Sequence, residues 1–479
     1  MILFAKNGSV TGIDGCPYEL WKKLSNLFKK AEEEGKEGFN IEETLTTVFR
    51  DIQEHRVDRR MGFADGWMCP IYKKKDPTEI SNYRLITLLN TDYKLLTKVL
   101  ALQLMEPIHS LVHPNQAGFI SKRSIFNHIR LAKAIINYVE VMEENGTIVS
   151  LNQEKAYDKI CHDYLWKILK AFGLPQQFTK TIRSLYQHAN TQVVINGVFS
   201  TPFQVTRGVR QGDPLSCPLF DLAIEPLACS LRNNLACQGL SIPGLDENVL
   251  VNMFADDTTL YPSEMDKFDD IEPILRKWCE VSGAKFNIEK TEIIPIGTRK
   301  HRLEVVTTQK INQMDQAPLD RIHIAKDREA VRSLGAWIGN KAVDPTPWEV
   351  TLDKIRKKLE RWKKSHPTIY GKHLIIQAII GGHTQFLAIA QGMPRHIEDA
   401  ITKMTRDFIW DQDTSPRMAL EHLYRRIDEG GLNILNIRAR NEAIEIMWLK
   451  AYLNITLSRP AWAVVTDLLI NAAAHRTPL

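Results

Sequence analysis

Hydrophobic positions return along this chain with two spacings. Short alternating or unbroken apolar runs predict strands, and returns every three or four residues predict helices. Thr147–Asn152 reads as a strand ending at a polar residue. "HDYLWKILKAFGLP" follows as a helix with Leu165, Ile168, Leu169 and Phe172 on one face, stopped by Gly173 and Pro175. "TQVVINGVFSTPF" predicts a hairpin, because Asn196-Gly197 accepts the positive φ angles of a two-residue turn. "GDPLSCPLFDLAIEPLACSL" predicts a helix, with Asp213 as N-cap and Pro214 in its first position. Val249–Tyr261 predicts a second hairpin carrying Asp256 and Asp257 at its tip. A helix with Ile271, Ile274, Leu275 and Trp278 on one face and the strand "KTEIIPIG" come next. Residues 1–65 read as polar helix, and the last hundred residues as helical.

Between Thr351 and Ile375 the balance shifts: eight Lys/Arg stand against two Asp/Glu. Leu352, Ile355, Leu359 and Trp362 make the apolar stripe of a predicted helix over 351–375. Lys354, Lys357, Lys358, Arg361 and Lys364 are left for its outer surface.

At 479 residues the chain exceeds one compact core, so two or three packed subdomains are expected. A 44% hydrophobic and 25% charged composition is that of a globular protein. A net charge of +5 does not by itself point to nucleic acid, so the charge distribution carries that question. Seven scattered cysteines without a CxxC pair favour free thiols over disulfides or zinc. No run of about 18 apolar residues is evident, so no membrane partner is expected.

The candidate chemistry lies in three places. A hairpin tip projects two carboxylates from a rigid base, and hard divalent cations such as Mg2+ prefer such oxygen ligands. Surface turns also carry Asp-Asp pairs, but the apolar flanks "VNMF" and "TTLY" are unusual for one. In "RGVRQGDPLS" two glycines permit close backbone approach, Arg210 and Gln211 add donors, and the helix start behind adds a positive dipole end. That loop suits a base and sugar, or simply a tight strand-to-helix connection. Tyr157, at the exit of the first strand, suits a wall beside a sugar, or packing.

These segments together, in order, resemble the reverse transcriptase of LINE-type (non-LTR) retrotransposons. The motifs are "AKNGSVTGIDGCPYELWK", "NYRLITLLN", "QAGFISKRSIFNHI", "LNQEKAYDKI", "GVRQGDPLSCPLF", "FADD", "SGAKFNIEKTE", "LGAWIG" and "SPRMALEHLYRRIDEGGLNILNIRARNEA". The resemblance implies an α+β right-hand polymerase, with an antiparallel palm sheet and a helical C-terminal extension. The expected divisions are a helical lead-in at 1–65, fingers with the start of the palm at 66–146, palm at 147–340, basic thumb at 341–400 and a post-thumb segment at 401–479. It implies RNA template, DNA primer and deoxynucleoside triphosphates as partners, and two Mg2+ ions in an active relative. Carried over by position, Asp256 and Asp257 are metal ligands, Tyr157 gates the sugar, and Arg84 with Lys75 reaches the triphosphate. Gln211 and Gly212 line the nucleotide pocket, and Lys290 is the proton donor to pyrophosphate. Lys354, Lys357, Lys358, Arg361 and Lys364 grip the phosphate backbone.

This chain departs from the family at Asn152, where the first catalytic aspartate belongs, and at Leu85, where proline is usual. Asparagine keeps the shape but offers one neutral carbonyl oxygen in place of two charged ones. Activity is therefore expected to be reduced or lost. Asp158 is not expected to substitute, since six residues of strand span about 20 Å, nor is Glu154, where the family places an ordinary residue. Met1 falls within the family's lead-in, so a truncated, decaying copy without partner domains is expected, nuclear by family only. The alternative is a non-catalytic protein that binds RNA or RNA–DNA hybrid. A maturase or telomerase relative is opposed by the post-thumb motif.

Overall fold

The computed structural model of the protein describes residues 1–316, 319, 321–341, 345–411, 418–456 and 458–476. Two sheets organise it. The first is built on strand Gly146–Leu151, buried at every position except Ser150. Burial on both faces is why its sequence runs nearly continuously apolar. On one side it pairs antiparallel with Asp257–Leu260, itself hairpinned to Val251–Phe254. On the other side it pairs antiparallel with Glu292–Ile296. The sheet expected to be antiparallel also carries one parallel pair at its edge, His323–Ile324 against Glu292–Ile293.

The second sheet runs Tyr83–Leu89, Gly66–Tyr72, Asn190–Ile195, Val198–Phe199. Asn196 and Gly197 take φ of 51° and 82°, as the Asn-Gly pair predicts.

Side chains alternate across a strand, and here the alternation feeds two separate cores. Val149 and Leu151 join Val251, Met253 and Leu260 against helices Thr91–Met105, His162–Ala171 and Ser216–Arg232. Ile148 points the other way, and with Tyr261, Ile294 and Ile296 joins Trp348, Ile355, Ile376, Phe408, Trp448 and Trp462. The final helix, Ala461–Arg476, packs on helix Ile125–Met142. There Trp462 Nε1 donates to Asn127 Oδ1 at 3.1 Å, and the Arg130 guanidinium lies 3.8 Å from the centre of the Trp448 ring.

Several expectations are corrected. The helix begins at Ser216, not at Pro214. Asp213 instead accepts from the Leu215 N–H at 3.0 Å and from the Tyr93 hydroxyl at 2.9 Å, bracing the loop before the helix. The basic segment is not one helix: Pro345–Lys363 ends before Pro367, and Ile369–Ile376 starts afresh on a Thr368 cap. The residue before a proline disfavours α backbone, which accounts for the break. Lys364 therefore lies outside the helix, and Trp362, placed on the apolar stripe, is 49% exposed. Ile369–Gln391 is, by length and composition alone, apolar enough to cross a membrane, a test that a buried core helix also passes. It includes a π-turn at Gln377–Gly381, and Ile375, Ile376, Ile379 and Ile380 are buried in the second core. Ser415, Pro416 and Arg417, which open the post-thumb motif, lie outside the described residues.

Candidate active site

The ladder that joins Val149 to Leu260 and Leu151 to Thr258 would next bring position 152 opposite position 257. Register thus sets the two side chains together, and the Asn152 Nδ2 donates to Asp257 Oδ1 at 3.3 Å. Asp256 precedes Asp257 in the turn between the two hairpin strands. Burial pushes the Asp257 carboxyl up to about 6; the neighbouring Asp256 adds to the rise and the Asn152 amide opposes it. Asp256 is raised too, chiefly by burial, with Arg84 and Lys73 acting against the rise. Among the described residues, no group of three His, Cys, Asp or Glu gathers to hold a metal ion.

The aromatic wall forms beside these carboxylates. Tyr157 sits on a one-turn helix, Ala156–Lys159, entered through Lys155 at φ 48°. Its ring stacks on Phe220 with centroids 4.7 Å apart and meets Phe119 edge-on at 6.2 Å. Burial holds its hydroxyl neutral, well above the usual tyrosine range.

The loop of "RGVRQGDPLS" is fastened to the second sheet. Thr87 N–H donates to the Gln211 carbonyl at 2.7 Å. Gly212, at φ 118°, presses so close that a Cβ there would run into the Thr87 carbonyl oxygen. Gln211 Nε2 reaches Asp158 Oδ1 at 3.3 Å. Asp158 is thereby engaged away from Asp257, and Glu154 is turned to Lys159 and Lys285. Arg210, expected to offer donors, is 3% exposed and donates inward to the Ala64 carbonyl at 2.6 Å.

A positive cluster faces the carboxylates. Arg84, Lys290 and Lys155 all act on Lys73, whose ammonium is pushed down by burial first and by these like charges after it. Arg84 acts on Asp256 as well, whereas Lys290 acts on Lys73. Lys75 is not seen among the charges that act on Asp256. It occupies a tight turn at φ 74°, with its carbonyl accepting from the Tyr72 hydroxyl at 2.6 Å. Lys73, not singled out from sequence, acts on Asp256. The signal was present: Lys73 is the first residue past strand Gly66–Tyr72. Phe119 was also missed; it is an aromatic at φ 55°, 48% exposed, beside Tyr157. Farther off, Lys354, Lys357, Lys358, Arg361 and Lys364 are all exposed. Lys357 pairs with Asp353 at 2.7 Å, and Lys358 meets His383 at 3.0 Å.

Residues 72–337 match the reverse transcriptase (RNA-dependent DNA polymerase) family. Among curated proteins, the chain is 26% identical over 398 residues to the transposon TX1 uncharacterized 149 kDa protein of Xenopus laevis, covering 82% of this chain and 29% of that one. It is 25% identical over 229 residues to the Pol polyprotein of the type-2 retrotransposable element R2DM of Drosophila melanogaster, covering 48% of this chain and 21% of the relative. A type-1 R2 element protein of Popillia japonica is 29% identical over 232 residues, covering 47% and 31%. The chain thus spans about a third or less of the length of these relatives. Among solved structures, telomerase from Candida albicans with a TWJ fragment of telomeric RNA aligns with a TM-score of 0.45 and 12% identity, covering 96% of this chain and 67% of that one.

Proposed function

Because the chain belongs to the reverse transcriptase family, with relatives among non-LTR retrotransposon proteins, we propose that it is a polymerase domain that engages RNA template, DNA primer and deoxynucleotide but adds nucleotides poorly. The observation that carries this reading is the Asn152–Asp257 hydrogen bond. Family enzymes generally use divalent metal ions. Asp256 and Asp257 fit as carboxylate ligands. Asn152 does not complete the set, because its amide nitrogen occupies an oxygen of Asp257 that a cation needs. Turning the amide over would set acceptor against acceptor while Asp257 is ionised. The donor set therefore suits one divalent ion held by two carboxylates, and not the pair that supports in-line phosphoryl transfer. A bound ion would supply charge neutralisation beside the nucleotide phosphates.

The remaining residues have parts consistent with this role. Arg84, Lys73, Lys155 and Lys290 supply cationic charge suited to a triphosphate. The stacked Tyr157 offers a flat wall to a sugar, and Lys290 a proton for a leaving pyrophosphate. The exposed Lys/Arg of Pro345–Lys363 suit a grip on phosphate backbone, which reads charge and not sequence.

Primer extension on an RNA template by the unaltered chain and by Asn152→Asp tests the reading. A rise of roughly a thousandfold in the variant is expected, the scale of loss when one charged member of a catalytic set is removed. Robust extension by the unaltered chain, equal to that of the variant, would refute it. Failure of both proteins to extend while still binding RNA–DNA hybrid would favour the second reading, a non-catalytic binding protein.

A further inference from the structure

The turn that carries Asp256 and Asp257 is held from outside its own hairpin. Ala255 precedes both acids, is 4% exposed and sits at φ 53°. A non-glycine residue in that conformation persists only when its surroundings impose it. Segment Asn115–Gly118 imposes it here. Met253 N–H donates to the Asn115 carbonyl at 2.7 Å, and Ala117 N–H to the Met253 carbonyl at 2.8 Å. The Gln116 side chain, 1% exposed, reaches the tip itself. Its Oε1 accepts from Ala255 N–H at 2.9 Å and from Gly118 N–H at 2.8 Å, while Nε2 donates to the Ala255 carbonyl at 3.4 Å. That carbonyl belongs to the peptide plane leading into Asp256, so one amide grips both sides of Ala255. Gly118 permits the approach, since a Cβ there would strike the Ala255 backbone nitrogen.

The gripping segment is itself fixed. Arg123 Nη1 donates to the carbonyls of His113 and Gln116 at 2.6 and 2.7 Å, and Nη2 to that of Val112 at 2.9 Å. The "QAGF" and "KRS" portions of one sequence motif thus form a bracket, anchored at Arg123 and closed on the turn by Gln116.

We propose that Gln116 is a positioning residue, which sets the direction of Asp256 and Asp257 by fixing the peptide planes on either side of Ala255. The proposal rests on reading those two acids as the reacting centre, and its test has one arm independent of that reading. The first arm is hydrogen exchange read by mass spectrometry on the full chain, in peptides covering Val251–Leu260. Gln116→Leu is expected to exchange about five- to tenfold faster at the turn, the loss of one or two buried hydrogen bonds. Peptides from helix Ala461–Arg476 are expected to be unchanged. Gln116→Glu, protonated at this buried site and isosteric with glutamine, is expected to restore protection. The second arm measures Mn2+ binding by Asn152→Asp with and without Gln116→Leu, where a several-fold weaker affinity is expected.

Unchanged exchange at the turn overturns the proposal. So does exchange that quickens equally across the chain, which is general destabilisation, or local quickening with Mn2+ affinity intact. If Asn152→Asp binds no Mn2+, the carboxylate reading fails by itself, and the exchange arm alone then upholds or overturns the bracket.

Discussion

At position 152 the neutral asparagine leaves out a charge where charge is costly to bury. Restoring it would place a third carboxylate beside Asp257, whose carboxyl burial and Asp256 already push up to about 6. Two like charges about 4 Å apart repel by about 1 kcal/mol in water and about 4 kcal/mol at the effective dielectric of a protein surface. Metal-free Asn152→Asp is therefore expected to melt below the parent at neutral pH, and Mn2+ is expected to reverse the difference. Calorimetry with and without Mn2+ checks this; equal metal-free melting temperatures would count against a buried, crowded site. A second residue-scale outcome concerns Gly212. Its φ of 118° and its closeness to the Thr87 carbonyl leave no room for a methyl group. Gly212→Ala is expected to cost at least about 1–3 kcal/mol of stability and to loosen Gln211 from strand Tyr83–Leu89, read by denaturant unfolding.

At the scale of elements, helix Ile125–Met142 carries one of the acid-sensitive groups of the fold. His128 on that helix is 8% exposed, and burial, with Arg123 adding to it, pushes its imidazole down to about 4. The unfolded chain takes up this proton near pH 6.5 and the folded chain only near 4. Its contribution to stability is therefore complete above 6.5 and falls away between 6.5 and 4, by about 3 kcal/mol in full. His128→Leu is expected to flatten that part of the stability–pH curve, measured by urea unfolding from pH 7 to pH 4. Sequence alone locates such elements well where the pattern is strong. The strand ending at Asn152, the Asn-Gly hairpin and the Asp256–Asp257 turn are each legible because apolar runs and turn residues agree. Three details were not legible, each for a physical reason. Asp213 looks like a helix cap, yet its carboxylate is drawn to Tyr93, 120 residues away. Lys73 looks like either of its lysine neighbours until the turn, left-handed at Lys75, sets it beside Arg84 and Asp256. Gln116 is an ordinary polar residue until the fold brings it against Ala255.

For the whole molecule, the basic surface of helix Pro345–Lys363 sets how the protein responds to salt. Lys354 and Arg361 are exposed and form no ion pair among the described residues, whereas Lys357 is partly neutralised by Asp353. Each phosphate neutralised contributes about 0.7–0.9 to the slope of log affinity against log salt. Replacing Lys354 and Arg361 with Gln is expected to lower the slope for RNA–DNA hybrid binding by about 1.4–1.8, read by fluorescence anisotropy between 50 and 200 mM salt. An unchanged slope would remove this helix from the nucleic-acid surface. The strand Gly146–Leu151 has another effect at this scale. Its neighbours Ile148 and Val149 are packed into two different hydrophobic cores. A fragment ending after strand Ala336–Ile338 would keep both acids yet strip helix Ala461–Arg476 from helix Ile125–Met142, whose Leu131, Ile135 and Tyr138 belong to the second core. Such a shortened protein would be sticky and prone to clump, so the stretch that carries the two acids depends on the helices that follow it.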